Sequence, residues 1–431
     1  MDWNPATTPV ANWLDQPSKQ RVREITEFLT AQGTFRFPKL RSGLFSAAGF
    51  EQHGSESTGY HNAWTRDAVH IAHACWVLGD VEAARNAVAA LSQFYIKTQS
   101  RFENIIKNPS LAADPMKRPH IRFDGDHLVE LTEKWAHAQN DALGYWLWLT
   151  CQMLLADQLP FSQGLSTVLG TLVRYWAAIE YWHDEDSGHW EETRKIEASS
   201  IGVVVASLKL FNQVVQQYPE QFSDQTELPA LIDELLTSGE TALHQILPFE
   251  CIEGDHTQRR AHDAALLFLI YPLHAVDRGM GVQIVDNVLT HLQGPIGIRR
   301  YLGDSYWCAN YKTLLTEETR TGDFSEALEK RDALLAPGTE AQWCIFDPIV
   351  SIIFGQRYLD QGQKSDLEQQ LEHARRSLLQ LTPPTSRFGP WRCPESYYLE
   401  GDEWVPNDIT PLLWTQANLR LALFWLEQTL D

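Results

Sequence analysis

Between Gly144 and Ala156 the chain reads GYWLWLTCQMLLA, a stretch apolar on every face of a helix. A helix with no polar face has to be covered on all sides by other elements. Ile349–Gly355 behaves the same way. Other segments carry apolar residues on one helical stripe only: Arg21–Ala31, Val81–Thr98, Phe161–Tyr181, Leu228–Leu247, Val282–Leu292 and Lys364–Leu379. With Ala63–Leu78, Ala136–Ala156, Ser199–Val215, Ala261–Leu273, Glu340–Leu359 and Thr410–Leu426 they make about twelve helices. Ser199 is expected to cap its helix, and Thr410 with Pro411 to open the last one. Buried helices alternating with half-exposed ones predict two concentric rings, an all-α (α/α)6 barrel. In such a toroid the loops at one end of the inner ring surround a central pocket. No low-complexity tract or Pro/Gly/Ser linker divides residues 1–431, so a single domain is expected, with 1–35 as a lead-in helix and no separate carbohydrate-binding module.

The formal net charge of −21 repels phosphate backbones and anionic headgroups. Nucleic-acid and membrane-surface roles are therefore not expected. A neutral or cationic ligand fits better. The first twenty residues hold no apolar signal region, and the longest apolar runs fall short of about 18 residues. The six cysteines are widely spaced and form no CxxC, which predicts reduced thiols and a cytoplasmic setting. The sequence sets no oligomeric state.

Sixteen tryptophans exceed common usage. They serve equally as core packing or as flat platforms for sugar rings. Four stretches place them beside polar groups. In HNAWTRDAVH, Trp64 precedes Arg66 and Asp67 where loop gives way to helix. Asp67 could be a helix cap with Arg66 as its local partner, or the two could grip vicinal hydroxyls as acceptor and donor. In KWAHAQNDALGYW, Trp135, His137, Gln139, Asn140 and Asp141 crowd one helix entrance. In HWEETRKIEASSIG, Trp190 precedes Glu191 and Glu192. A carboxyl packed on an indole is partly desolvated, which raises its pKa as a general acid requires. Glu197 belongs rather to the start of the next helix. In RCPESYYLEGDEW, Glu395 follows a proline. A weaker stretch, GIRRYLGDSYW, sets Arg299 and Arg300 among aromatics. Each acid could equally be a solvated loop residue, and each arginine a structural ion pair.

Taken in this order the stretches resemble glycoside hydrolase family 15, which includes the glucoamylases and is similar to the glucoamylase-like domain of phosphorylase kinase regulatory subunits. The matching pieces are WTRD (Trp64–Asp67), WAHAQNDAL (Trp135–Leu143), HWEE with SSIG (His189–Gly202), RRYLGD (Arg299–Asp304) and PESY (Pro394–Tyr397). The likeness runs from about Phe37 onward. It implies an (α/α)6 barrel and an exo-acting, inverting hydrolase that releases glucose from non-reducing ends. By position it implies Glu191 as general acid and Glu395 as general base. Arg66 and Asp67 would clamp the terminal glucose, Trp135 would be its aromatic wall, and Trp64, Trp190, Glu192 and Arg300 would be further sugar contacts. PESY resembles the kinase-subunit branch more than the fungal enzymes. No starch-binding module or extra β-domain is recognisable, which favours short soluble α-glucans, linked α-1,4 or α-1,6. The chemistry asks for no metal or organic cofactor.

Two other readings stand beside this one: a sugar-sensing regulatory protein that lacks hydrolysis, and a toroid hydrolase for uronides or β-linked sugars. The Arg66–Asp67 pair with Trp135 argues for neutral glucose over the last.

Overall fold

A computed structural model of the protein describes residues 3–49, 59–254 and 258–430. Six helical segments touch one another in a closed ring: Thr65–Val77, Asn140–Leu155, Ala198–Gln217, the short Ala264–Leu266 and Leu267–Ile270 pair, Phe346–Gln361 and Leu413–Thr429, which returns to the first. Around them stand Val81–Lys97, Gln163–Ile179, Leu228–Ile246, Arg278–His291 and Lys364–Leu379, each following its inner partner in the chain. The sixth outer position belongs to Lys19–Ala31, which packs on Leu413–Thr429. The two-ring, (α/α)6 arrangement expected from the apolar pattern is the one observed. The expected lead-in helix is its outer sixth member.

The inner helices are held apart by rings rather than by aliphatic side chains alone. His70 stacks on Trp414 at 4.4 Å, and Trp414 on Phe268 at 5.3 Å. Tyr145 and Phe346 close on the same stack. Burial holds the His70 imidazole well below its ordinary pKa, so it sits there neutral. Where two helices need closer approach, glycine provides it. A Cβ on Gly144 would lie 2.8 Å from Val203 Cγ1, and one on Gly202 would lie 2.4 Å from a Leu269 methyl. Trp13, Trp146, Trp176 and Trp307 are buried core residues.

Ala198–Gln217 is long and apolar enough by length and composition to cross a bilayer, contrary to the estimate from apolar runs. Its most apolar window is 78% buried among neighbouring helices, as an inner-ring member should be.

Several expected boundaries shift for local reasons. Ser199 lies inside its helix, with its hydroxyl on Glu250; Glu197 occupies the N-cap. Thr410 and Pro411 precede the last helix rather than start it. Residues 407–413 are drawn into backbone bonds to Ser396, Glu395, Cys393 and Ala47, so helical geometry begins only at Leu413. The helix expected over Ala261–Leu273 shortens because Tyr271, the residue before Pro272, is extended. The Ser100–Lys107 helix was not expected. Nor were two small antiparallel sheets. One pairs Ala63–Trp64 with Arg122–Asp124 and then Val129–Glu130; the other pairs Gln342–Trp343 with Ser396–Glu400 and then Glu403–Pro406. Both stand at the end where the inner helices begin.

Replacing Gly144 with valine should force the second and third inner helices apart. The expected cost is about 1–3 kcal/mol, read as a lower thermal midpoint. An unchanged midpoint would show that this contact is slack.

Candidate functional site

A cavity enclosing about 770 Å³, part of it open to solvent, lies where the inner helices start. Arg66, Asp67, Trp343 and Trp414 reach it from helix starts or the strand beside them, and Glu191 and Glu395 from loops. Of the nine residues singled out by sequence, Trp64, Arg66, Asp67, Trp135, Trp190, Glu191, Arg300 and Glu395 line this one space. Glu192 does not.

Arg66 is 3% exposed and does not pair with its neighbour Asp67. Its Nε donates to Asp141 at 2.7 Å, and Nη2 donates to Gln139 and to the Gly188 carbonyl. Its Nη1 lies 3.9 Å from Glu191 Oε1. Gln139 and Asp141 thus hold Arg66, while Asn140 between them bonds Asp184 and Asp186. Asp67 is left with no side-chain donor among the described residues. Burial pushes it up to about 7 against the pull of Arg66.

Glu191 is placed by an unusual backbone. Its φ of 59° lies in the left-handed region, which costs a non-glycine residue free energy. Glu191 and Glu192 consequently face different surroundings. Glu191 Oε1 accepts from Trp64 Nε1 at 3.0 Å and from Gln139 Nε2 at 3.2 Å. Its Oε2 has no partner among the described residues. Burial raises Glu191 above the ordinary carboxylate range, opposed by Arg66, Gln139 and Arg122. The indole that holds it is Trp64, not Trp190, whose N–H donates to Asp263 at 2.9 Å. Trp64 meets Trp135 edge-on at 5.9 Å, and the Arg122 guanidinium lies 4.0 Å from the Trp135 ring centre.

Glu192 is 1% exposed and sits behind the cavity wall. It accepts from Arg260, Arg300 and Arg331 at 2.9–3.1 Å, and from Tyr301. These cations hold it well below the ordinary carboxylate range. Expected as a sugar contact, it is taken up by three guanidinium groups and the Tyr301 hydroxyl instead. Arg300 also donates twice to Asp304 at 2.6 Å. Glu197 pairs with Lys195 at 2.7 Å, both buried and away from the cavity.

Glu395 is 2% exposed. Tyr60 donates to its Oε1 at 3.0 Å and Asn407 to its Oε2 at 2.6 Å. Tyr60 also meets the Tyr306 hydroxyl at 3.0 Å. Burial pushes Glu395 up to about 7, even though both hydrogen bonds favour its ionised form.

Tyr60, Tyr306, Asn407, Trp343, Arg331 and Asp323 were not singled out from the sequence. Tyr306 and Trp343 stand near charged residues in the chain, and the tryptophan excess is the one sequence signal that points to Trp343. Asn407 and Arg331 give no local signal, because their partners are 12 and 139 positions away.

Residues 30–282 match the sequence profile of the family described as glycosyl hydrolases family 15. Two curated relatives are each called a probable phosphorylase b kinase regulatory subunit alpha. The one from Caenorhabditis elegans is 26% identical over 397 residues, covering 83% of this chain and 30% of that protein. The one from Drosophila melanogaster is 26% identical over 292 residues, covering 62% and 22%. This chain thus spans less than a third of either relative. Among solved structures, a wild-type glycosidase superposes with TM-score 0.64 at 17% identity over 96% of this chain and 98% of that one. The glucoamylase from Saccharomycopsis fibuligera gives 0.60 at 12% identity, covering 96% of each chain. A bacterial glucoamylase complexed with acarbose gives 0.57 at 13%, covering 90% and 53%. At these identities the structures establish the shared fold.

Two outcomes are expected of the site carboxylates. Glu192→Gln leaves three buried guanidinium groups without their common anion and should destabilise by about 3–5 kcal/mol; a denaturation midpoint like that of the native protein would refute this. Glu395 behaves in the opposite sense. Its folded pKa is raised, so its contribution to stability is complete below the ordinary carboxylate pKa and lost as pH rises through about 7. Glu395→Gln should therefore gain about 1–3 kcal/mol relative to the native protein between pH 5 and pH 8. Thermal midpoints across that range check it, and a pH-independent difference would refute it.

Proposed function

The chain belongs to glycosyl hydrolases family 15, and from that premise we propose that it is an inverting, exo-acting α-glucoside hydrolase releasing glucose from the non-reducing ends of short soluble α-glucans. One observation carries the reading. Two carboxyls with different partners, the half-buried Glu191 and the buried Glu395, face a single cavity whose other walls include indoles, guanidinium groups and an aspartate with no side-chain donor among the described residues.

Glu191 is the general acid. Trp64 and Gln139 occupy its Oε1, which leaves Oε2 to carry the proton toward the glycosidic oxygen. Glu395 is the general base. Two donors hold its oxygens, and it takes the proton of a water attacking C1 from the opposite face. The C1–O bond to the leaving sugar breaks as the new C1–OH bond forms, and one proton moves at each end. Inversion needs the two carboxyls roughly 6.5–9.5 Å apart, with the water between them. Asp67, with no side-chain donor of its own among the described residues, accepts hydroxyls of the terminal glucose. Arg66 Nη1 and Arg300 supply donors. Trp64, Trp135 and Trp190 supply apolar faces for the ring. Six free, buried thiols support a reducing, cytoplasmic setting.

A second reading rests on the names of the curated relatives, which are kinase regulatory subunits. On it the pocket binds sugar and regulates without turnover. Incubation with maltose and isomaltose, with free glucose assayed, separates the two. The hydrolase reading expects glucose, first as the β-anomer by NMR. It also expects Glu191→Gln and Glu395→Gln each to lose about two decades or more of kcat. Sugar binding without glucose release would favour the regulatory reading. Near-normal turnover in either variant would remove that residue from its role.

A further inference from the structure

A strap formed by residues 315–335 reaches the cavity, where Thr321, Gly322, Asp323 and Arg331 line it, with Gly322 exposed and Thr321 and Asp323 half-buried. The strap is anchored at both ends. Arg320 donates to the carbonyls of Lys312 and Leu315, while Tyr311 donates to the Arg320 carbonyl. Glu326 pairs with Lys134, the residue before Trp135. The Arg331 guanidinium lies 5.5 Å from the Phe324 ring centre. Asp323 is thus presented on a tethered segment. Its Oδ1 accepts from the Ser325 amide at 2.8 Å, and Oδ2 has no partner among the described residues.

Asp323 stands on the Glu191 side of the cavity. The strap that carries it is tied through Glu326 to Lys134, beside Trp135, and Trp135 meets Trp64, whose N–H holds Glu191; the charge of Asp323 also opposes ionisation of Glu191. Asp67 is buried at the cavity floor and Asp323 is half-buried at its rim. A sugar seated on Asp67 and Arg66 would therefore have its next unit under the strap, on the Glu191 side.

We propose that Asp323 is the contact for the leaving-group sugar, its carboxylate accepting hydrogen bonds from that unit's hydroxyls. This rests on the hydrolase reading for which side the leaving group occupies. It makes the strap a specificity element: the pocket prefers a hydroxylated unit beyond the terminal glucose to a hydroxyl-free one.

The test is calorimetric binding of glucose and of a sulfur-linked α-glucosyl disaccharide, which resists hydrolysis. Asp323→Ala should weaken disaccharide binding by roughly tenfold or more and leave glucose affinity within about twofold. Asp323→Asn keeps the acceptor for the Ser325 amide but removes the charge, and should fall between Ala and native. Three results would overturn the proposal: disaccharide affinity unchanged in both variants, glucose affinity lost in parallel, or no disaccharide binding by the native protein. If the native protein binds the disaccharide but releases no glucose from maltose, the hydrolase reading fails while the contact stands. A lowered pH limit of turnover with binding intact would mean that Asp323 acts only through Glu191, and that too would overturn it.

Discussion

The Glu192 carboxylate, buried among Arg260, Arg300, Arg331 and Tyr301, is the interaction on which the site depends. Its three guanidinium partners come from segments far apart in the chain, so one anion gathers three loops at the same end of the barrel. With Glu192 directed inward, the left-handed backbone at Glu191 turns the adjacent carboxyl into the cavity. Arg300 is shared between Glu192 and Asp304 and still lines the pocket. A buried ion cluster of this sort is weak evidence for added stability. Here its use is positional.

The two facing carboxyls differ in what holds them. Glu191 is fixed through one oxygen, by an indole N–H and an amide, with Arg66 behind. Glu395 is fixed through both, by Tyr60 and Asn407. Desolvation raises both pKa values, and it outweighs donors that alone would lower them. The proposed mechanism would draw its leverage from this desolvation. The cost is a cavity lined by groups that each oppose folding as pH rises.

The ring architecture was readable in the sequence because it depends on apolar pattern. Gly144–Ala156 has no polar face, and a buried inner helix is the one place for it. The clustered polar residues at Trp64–Asp67 and Gln139–Asp141 were readable as groups in need of partners, since polar groups leading into an apolar helix cannot be left unbonded. Their pairing was not readable. Arg66 stands next to Asp67 in the chain but bonds Asp141, 75 positions on. The resemblance implied Glu192 as a sugar contact beside Glu191, and only tertiary structure separates the surroundings of the two. Tyr60 and Asn407, which hold Glu395, come from loops without helical or motif patterning. The short strands escaped detection because two to five residues carry almost no periodicity.

One feature of the toroid bears on how it is made. The ring closes where Leu413–Thr429 meets Thr65–Val77, and the outer cover of that helix is Lys19–Ala31, which precedes it in the chain by almost 400 positions. During translation the early helix must wait for that partner. Until then, apolar faces such as Val22, Ile25 and Leu29 lack their final cover from Leu419, Leu423 and Leu426. Closure of this kind is governed by contacts of high sequence separation, which form late and expose aggregation-prone surface in the interval. The nascent chain therefore carries this uncovered apolar surface until Leu413–Thr429 has emerged.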